Sequence, residues 1–316
     1  MVSIKLKKIG NKKYMYAEYS FRLPDKTIKK LSKLIEKKED ANKREIKDYF
    51  TKKEIESYCS FAVKKYKADA VLTAEKMCTL EAIRVEYKHL LNRLTEQQMK
   101  DVLDRFTINF TYESNALEGN SLTLRDVTMI LAEKIVPKGK DLREIYETKN
   151  TREANELLFN NKIKITIKDI IKSHSILIRE TGISEGFKRL PNFLLMRDVK
   201  TTAPEKVQSE MESLVAWYNG NKSRIHPIKL AAEFHAQFEK IHPFEDGNGR
   251  AGRLLINAIF IENGYPPLII RKTMRQAYFA ALEAYDNDSK PKLERFIVEK
   301  LEKTFENFFK IYVKYV

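Results

Sequence analysis

The sequence predicts a mainly α protein, and three observations carry that expectation. Apolar residues recur at helical spacing through nearly all of the chain after Pro24. Capping residues stand just ahead of several of those stretches, and prolines and glycines sit where helices start and stop. Strand-like alternation is confined to two intervals, one at the start and one in the middle.

In chain order, Ser3 to Leu23 read as a small hairpin, with Ile4 and Leu6, then Tyr14 and Tyr16, on either side of a Gly10-Asn11 turn. Leu31, Leu34 and Ile35, and then Ile46, Tyr49 and Phe50, predict two short basic helices. A long helix is expected from about Val71 to Leu94. Thr95 with Gln98 makes a capping box for the next, whose apolar face holds Val102, Leu103 and Phe106. Thr123 with Asp126, and Thr166 with Asp169, repeat that signal. Pro204, Pro227 and Pro291 suit first turns, and Gly220 and Gly264 suit helix ends. From Phe187 to Thr202 the helical period lapses around Pro191 and the run Phe193 to Met196. That interval predicts a β-hairpin or an extended loop, with core packing of the apolar run as the alternative.

Composition bounds the function. With 316 residues and 43% hydrophobic content the chain can bury a substantial core and is not disordered. No apolar run is long enough to span a bilayer, and the amino terminus lacks a signal-peptide core. Cys59 and Cys78 are too few for a disulfide scaffold and lack zinc-site spacing, so the expectation is a reduced, cytoplasmic, soluble protein with no membrane partner. The net charge is +15, and the first 70 residues hold 20 Lys and Arg against 10 Asp and Glu. This marks residues 1–70 as a basic extension ahead of a helical domain at 71–316. A basic patch can attract nucleic acid; a lysine-rich solvated surface is the plainer reading.

One segment differs from everything around it: His242-Pro243-Phe244-Glu245-Asp246-Gly247-Asn248-Gly249-Arg250-Ala251-Gly252-Arg253. A helix expected from Pro227 to Ile241 ends there, and another, Ala251 to Asn263, begins. Two glycines flanking Asn248 let successive N–H groups converge into an anion-holding nest at a helix amino terminus. Arg250 and Arg253, three apart, can reach one anion. Asp246 stands where a carboxylate could hold Mg²⁺, and His242 where a base could act near neutral pH. Each residue alone is weak, but the conjunction favours phosphoryl or nucleotidyl chemistry. A Walker loop is excluded, because no Gly-Lys-Ser/Thr follows a strand. His89, His174, His226 and His235 read as core or surface histidines.

The segment resembles the Fic family signature, His-x-Phe-x-Asp/Glu-Gly-Asn-Gly-Arg-x-x-Arg, at every fixed position. The resemblance implies a Fic-like helical core and a protein adenylyltransferase that moves AMP from ATP to Tyr, Thr or Ser hydroxyls of a target protein, itself included. By that likeness His242 is the catalytic base and Asp246 the Mg²⁺ ligand. Gly247, Asn248 and Gly249 cradle the phosphates, Arg250 and Arg253 neutralise the triphosphate, and Tyr278 lines the nucleotide pocket. A target-docking flap would be the hairpin at Leu190–Thr202, pairing by strand addition. Relatives often dimerise, so a homodimer is also implied.

A second stretch, Ser114-Asn115-Ala116-Leu117-Glu118-Gly119, resembles the family's inhibitory motif, Ser/Thr-x-x-x-Glu-Gly/Asn. Ser114 and Glu118 share a helical face, and Gly119 ends the helix. The resemblance names Arg253 as the partner of Glu118, which would keep the terminal phosphate of ATP from settling. Three functions follow: autoinhibited AMP transfer; the same site removing AMP or transferring another phosphate-containing group; and a nucleic-acid-binding regulator with a vestigial site. Gly249 argues against phosphotransfer, since the family's kinases lack the second glycine of the nest.

Overall fold

Helix accounts for 64% of the chain, and the one sheet among the described residues is three-stranded and antiparallel. The computed structural model describes residues 2–9, 11–35, 43–192 and 200–313. Two compact units divide between Glu86 and Tyr87.

In the first unit, β1 (Ser3–Ile9), β2 (Lys12–Arg22) and β3 (Ile28–Ile35) lie in that order, with Lys5 opposite Tyr16 and Tyr16 opposite Leu34. Ala17 and Ile35 turn to the other face and pack with Ile46 and Phe50 of α1 (Lys43–Lys65). Phe21 packs with Tyr58 of the same helix. The hairpin expectation is therefore extended by a strand, and the short helix read from Leu31, Leu34 and Ile35 is overturned. Over eight residues a three-and-four spacing also places Leu31 and Ile35 on one strand face, and pairing with β2 decides between the two periods. The second short helix is a 23-residue one. On the open face, Lys5 and Lys7 both bind Glu18, at 2.8 and 2.6 Å.

The cysteine expectation also needs correction. Cys59 of α1 and Cys78 of α2 (Ala74–Leu91) form a disulfide, with Cα atoms 4.5 Å apart. They stand 19 positions apart in sequence, so no local spacing announced the pairing.

The second unit is helical. Thr95 closes its capping box on Gln98 and opens α3 (Glu96–Leu117). Thr123 does the same with Asp126 for α4 (Leu124–Thr128), and Thr166 accepts from Asp169 N at the start of α6 (Ile167–Ile178). Between them runs α5 (Leu142–Phe159). Then follow α7 (Pro204–Asn221), α8 (Pro227–Ile241), α9 (Asn248–Glu262), α10 (Arg275–Asp286) and α11 (Lys290–Thr304), which passes into a π-helical turn, Phe305–Phe309.

The core centres on α8 and α9. Phe234 and Phe238 of α8, and Leu254, Leu255, Ile256 and Phe260 of α9, are each at most 1% exposed. Each such side chain contributes about 1.5–3 kcal/mol of burial, which holds the two helices firmly together. Gly252 lets them approach closely: a Cβ there would lie 2.6 Å from Glu239 Oε1 and 2.8 Å from His235 Cε1. The turn joining α8 to α9 is thus anchored at both ends.

Candidate active site

That turn runs from His242 to Gly247. His242 caps α8 in the left-handed region (φ 51°, ψ 61°), donating its N–H to Phe238 O at 2.9 Å. A non-glycine residue there costs roughly 1–2 kcal/mol, and the packing of Phe244 offsets it. Phe244 is fully buried, and its ring lies flat on His174 of α6 with centroids 3.6 Å apart. Asn248 grips the backbone of the same residue, accepting from Phe244 N at 2.9 Å and donating to Phe244 O at 2.8 Å. The Asn248 side chain therefore builds the loop, and what it can offer an anion is its backbone N–H.

His174 braces the loop a second time, its Nε2 donating to Asp246 O at 2.8 Å. Burial drives its pKa down to about 4, so the ring is neutral at physiological pH and the carbonyl fixes the proton on Nε2.

Gly247 (φ 79°) takes the N-cap of α9, a conformation that suits glycine, and no side chain caps the helix. The first intrahelical bond at this end runs from Ala251 N to Gly247 O at 3.0 Å. The N–H groups of residues 248–250 thus have no acceptor within the helix and point out along its dipole. The helix starts three residues ahead of the Ala251 expected from sequence, which puts the nest inside its first turn.

Both arginines are buried. Arg250 Nη1 lies 3.3 Å from Glu147 of α5, and its Nη2 lies 3.9 Å from Asp246. Asp246 accepts from Gly247 N at 2.6 Å and pairs with Arg143 at the start of α5, while its side chain stays 44% exposed. Arg253 is 1% exposed and turns to α3. Its Nε donates to Ser114 Oγ at 3.0 Å, its Nη2 to Ser114 O at 2.8 Å, and its Nη1 lies 2.8 Å from Glu118 Oε1. Burial opposes the Arg253 charge, but Glu118 and Tyr278 outweigh it and hold the pKa above the ordinary arginine value. Gly249 makes room for Glu118: a Cβ at this position would stand 2.1 Å from Glu118 Oε1. Gly119, at φ 101°, turns the chain away after the carboxylate.

The structure thus gathers Ser114, Glu118, Gly247, Gly249, Arg250 and Arg253 at one helix end, with His242 and Asp246 on the adjoining turn. His242 Nδ1 lies 3.9 Å from Glu239 of α8. Tyr278 lies on α10, 1% exposed, with its hydroxyl 2.6 Å from His235 Nε2. Within the expected flap, Leu190–Thr202, residues 193–199 lie outside the described residues.

At the described ends of that interval, Lys188 is 5% exposed and donates from Nζ to Asn192 Oδ1 (2.7 Å), Thr201 Oγ1 (3.1 Å) and Ile241 O (3.4 Å). Asn192 Nδ2 donates to Phe244 O at 2.8 Å. Lys188, Arg143 and Glu147 escaped sequence reading; His174 was expected only as a core or surface histidine, and Asn192 only as part of the Leu190–Thr202 interval. An Arg–Glu pair four apart on α5 was the one local signal, and it says nothing of Asp246 or Arg250.

An open depression of about 640 Å³ lies beside the site, lined by Glu118, Gly119, Lys140, Arg143 and Glu147 among others. Asp246 offers a solvent-facing carboxylate beside the nest. One carboxylate completed by substrate phosphates and water is a donor set that Mg²⁺ accepts. Among the described residues no cluster of three or more His, Cys, Asp or Glu could hold a metal by itself.

Residues 164–260 match the Fic/DOC family model. Proteins named protein adenylyltransferase Fic are 34% identical to the chain: that of Nematostella vectensis over 216 residues (66% of this chain, 50% of the relative), and that of Drosophila melanogaster over 200 residues (62% and 40%). The chain spans half or less of the length of these curated relatives. A Fic domain containing signaling protein from Bacteroides thetaiotaomicron superposes with TM-score 0.67 at 27% identity, covering 74% of this chain and 96% of that one. Fic-1 from C. elegans has the same fold, with TM-score 0.67 at 24% identity over 77% and 74% of the two chains.

Proposed function

The chain carries a Fic/DOC-family domain at residues 164–260, and on that premise we propose that it is an autoinhibited, Mg²⁺-dependent protein adenylyltransferase. It transfers AMP from ATP to a Tyr, Thr or Ser hydroxyl of a target protein, itself included. In this reading the free N–H groups at the start of α9 and the Arg250 guanidinium hold the phosphates, where helix dipole and fixed donors favour negative charge. His242 takes the proton of the attacking hydroxyl. The oxygen bonds to the α-phosphorus, the bond from that phosphorus to the bridging oxygen breaks, and pyrophosphate leaves with that oxygen. Asp246 would hold Mg²⁺, which when bound supplies charge neutralisation along the phosphates.

The observation that carries the proposal is the 2.8 Å ion pair between Glu118 and Arg253. A cation at the nest that is already matched by a carboxylate and by Ser114 is not available to a terminal phosphate, and this supports inhibition from within the chain. Incubation with labelled ATP tests it. Glu118→Gly is expected to transfer more AMP than the wild type, and equal transfer would overturn the inhibitory role.

A second reading is supported by the same carboxylate. Glu118 stands against Gly249, where a group positioning water for removal of AMP would also stand. Mass spectrometry of a target separates the two, since transfer adds AMP and the reverse reaction removes it.

A further inference from the structure

Behind the inhibitory helix lies a second cavity, of about 210 Å³, walled by α3, the segment 269–274 and the end of α11 with its π-helical turn. It is too small for a nucleotide but has room for a tetrahedral oxyanion with its waters. Its lining is cationic, with Arg271, Lys300 and Lys303 against the single carboxylate of Glu113 among the described lining residues. Amide and hydroxyl donors from Asn109, Asn307 and Thr273 complete it.

Lys300 is the unusual member. Its side chain is 4% exposed, and its Nζ is buried without a hydrogen-bond partner. The nearest carboxylate oxygen, Glu299 Oε1, is 3.5 Å away and lies 2.5 Å from Lys303. The Phe296 ring, 4.7 Å from Nζ, offers only its π face. A buried ammonium whose one carboxylate neighbour is 3.5 Å away and shared with Lys303 is poorly compensated, so its retention at a cavity wall points to an anionic occupant. The π-helical turn, Phe305–Phe309, supplies Asn307 and Phe308 to the same wall, and such turns cluster at functional sites.

The cavity is also joined to the inhibitory segment. Glu113 Oε2 accepts from Lys272 N at 2.7 Å, immediately before Ser114 in sequence. Arg275 Nε donates to Leu117 O at 2.9 Å, immediately before Glu118. The segment from Arg271 to Arg275 therefore holds the last turns of α3, and its first residue lines the cavity.

We propose that this cavity binds a small oxyanion, a phosphate or phosphate-ester group, through Lys300 and Arg271, and that occupancy changes how firmly α3 presents Glu118 to Arg253. The coupling rests on the autoinhibited reading above; the binding does not. An anion drawn to Arg271 acts on the segment that grips α3, so the nucleotide site would sense a molecule it never touches.

Hydrogen exchange read by mass spectrometry, with inorganic phosphate as the probe on the full chain, tests both parts. Phosphate is expected to slow exchange at 269–274 and 300–309, and to change it at 113–119 by at least about fivefold, the lower end of ordinary coupling between sites. Lys300→Met and Arg271→Ala are each expected to abolish both effects; the second replaces an exposed residue and keeps the test open should the first misfold. Arg250→Ala should leave the effects in place, which separates this cavity from the nest on α9. Protection confined to 247–253, or persisting in Lys300→Met and Arg271→Ala, overturns the site. Protection at the cavity without change at 113–119 overturns the coupling. Phosphate should also shift AMP transfer by the wild type and leave Glu118→Gly indifferent. If Glu118→Gly transfers no AMP, the functional reading fails while the exchange result stands.

Discussion

Arg250 and Arg253 sit one turn apart on α9, are both buried, and keep different company. Arg250 belongs to a framework made by the turn between α8 and α9 and by α5, in which Glu147 pairs with Arg250 and the solvent-facing carboxylate of Asp246 pairs with Arg143. Arg253 belongs to α3, whose last turns cover it with Ser114 and Glu118. The first arrangement leaves a carboxylate and a helix end facing solvent, and the second closes its guanidinium with groups of the same chain. The difference teaches that one helix amino terminus can be preorganised on one side and covered on the other; on the proposed function, activation requires moving only the cover.

The largest effect should come from the framework. In the Glu118→Gly background, His242→Ala is expected to lower AMP transfer by about 10²–10⁴-fold, the usual worth of a positioned base. Single-turnover transfer with labelled ATP measures it. Retention of full activity would mean that the turn holds the nucleotide but does not move the proton, and would break the comparison at its root.

The next effect concerns what keeps the framework rigid. His174 has a folded pKa of about 4, below the 6.5 of the exposed group. Between these values the unfolded chain binds the proton and the folded chain does not, so stability falls as pH drops from 6.5 toward 4. At the bottom of that window the loss is on the order of 3 kcal/mol. His174→Gln keeps a donor without a titrating ring, and should remove this component of the acid slope in denaturant unfolding at pH 7, 6, 5 and 4. An unchanged slope would show that the stacked ring is not what senses the acid.

The side held by α3 should give a smaller number. Glu118 is about one third exposed, so its pair with Arg253 is screened, and releasing it is expected to raise AMP transfer by roughly tenfold to a hundredfold, equivalent to about 1–3 kcal/mol. Arg253→Ala should not reproduce that gain, because on the proposed function it removes the partner of Glu118 together with the cation that holds the triphosphate. Equal gains from the two variants would sharpen the comparison in an unexpected direction, by showing that Arg253 serves inhibition alone.

How much of this was legible depends on how far apart the partners lie in sequence. The nest, the two arginines and the pairing face of Ser114 and Glu118 are local patterns, and capping residues such as Thr95 and Thr123 marked helix starts to within a residue. The third strand was misread because over eight residues a helical spacing and a strand face share positions. His174, Arg143, Glu147 and Lys188 come from other helices and loops; their roles follow from the packing of α5 and α6 against α9, which no short-range spacing encodes. The disulfide between Cys59 and Cys78 depends on two helices in the same way.

Lys188 gives the smallest and most specific of the expected effects. Burial lowers its pKa to about 8, yet Nζ still reaches Asn192, Thr201 and Ile241 O, the last at the end of α8. Its backbone N–H donates to Pro243 O at 2.8 Å, so the residue ties both ends of the 190–202 interval to the residues flanking His242. Lys188→Met keeps the stem but leaves those oxygens without the donor, a cost of about 1–3 kcal/mol in stability. If Lys188 only stabilises, transfer to small hydroxyl acceptors and to protein targets should fall together. If it positions the interval that docks a target, KM for the protein should rise while transfer to a small acceptor stays near the parent value, and the Glu118→Gly background makes both measurable. Rescue by Lys188→Arg, which restores a donor of similar reach, would show that the contact rather than the packing of the stem is responsible.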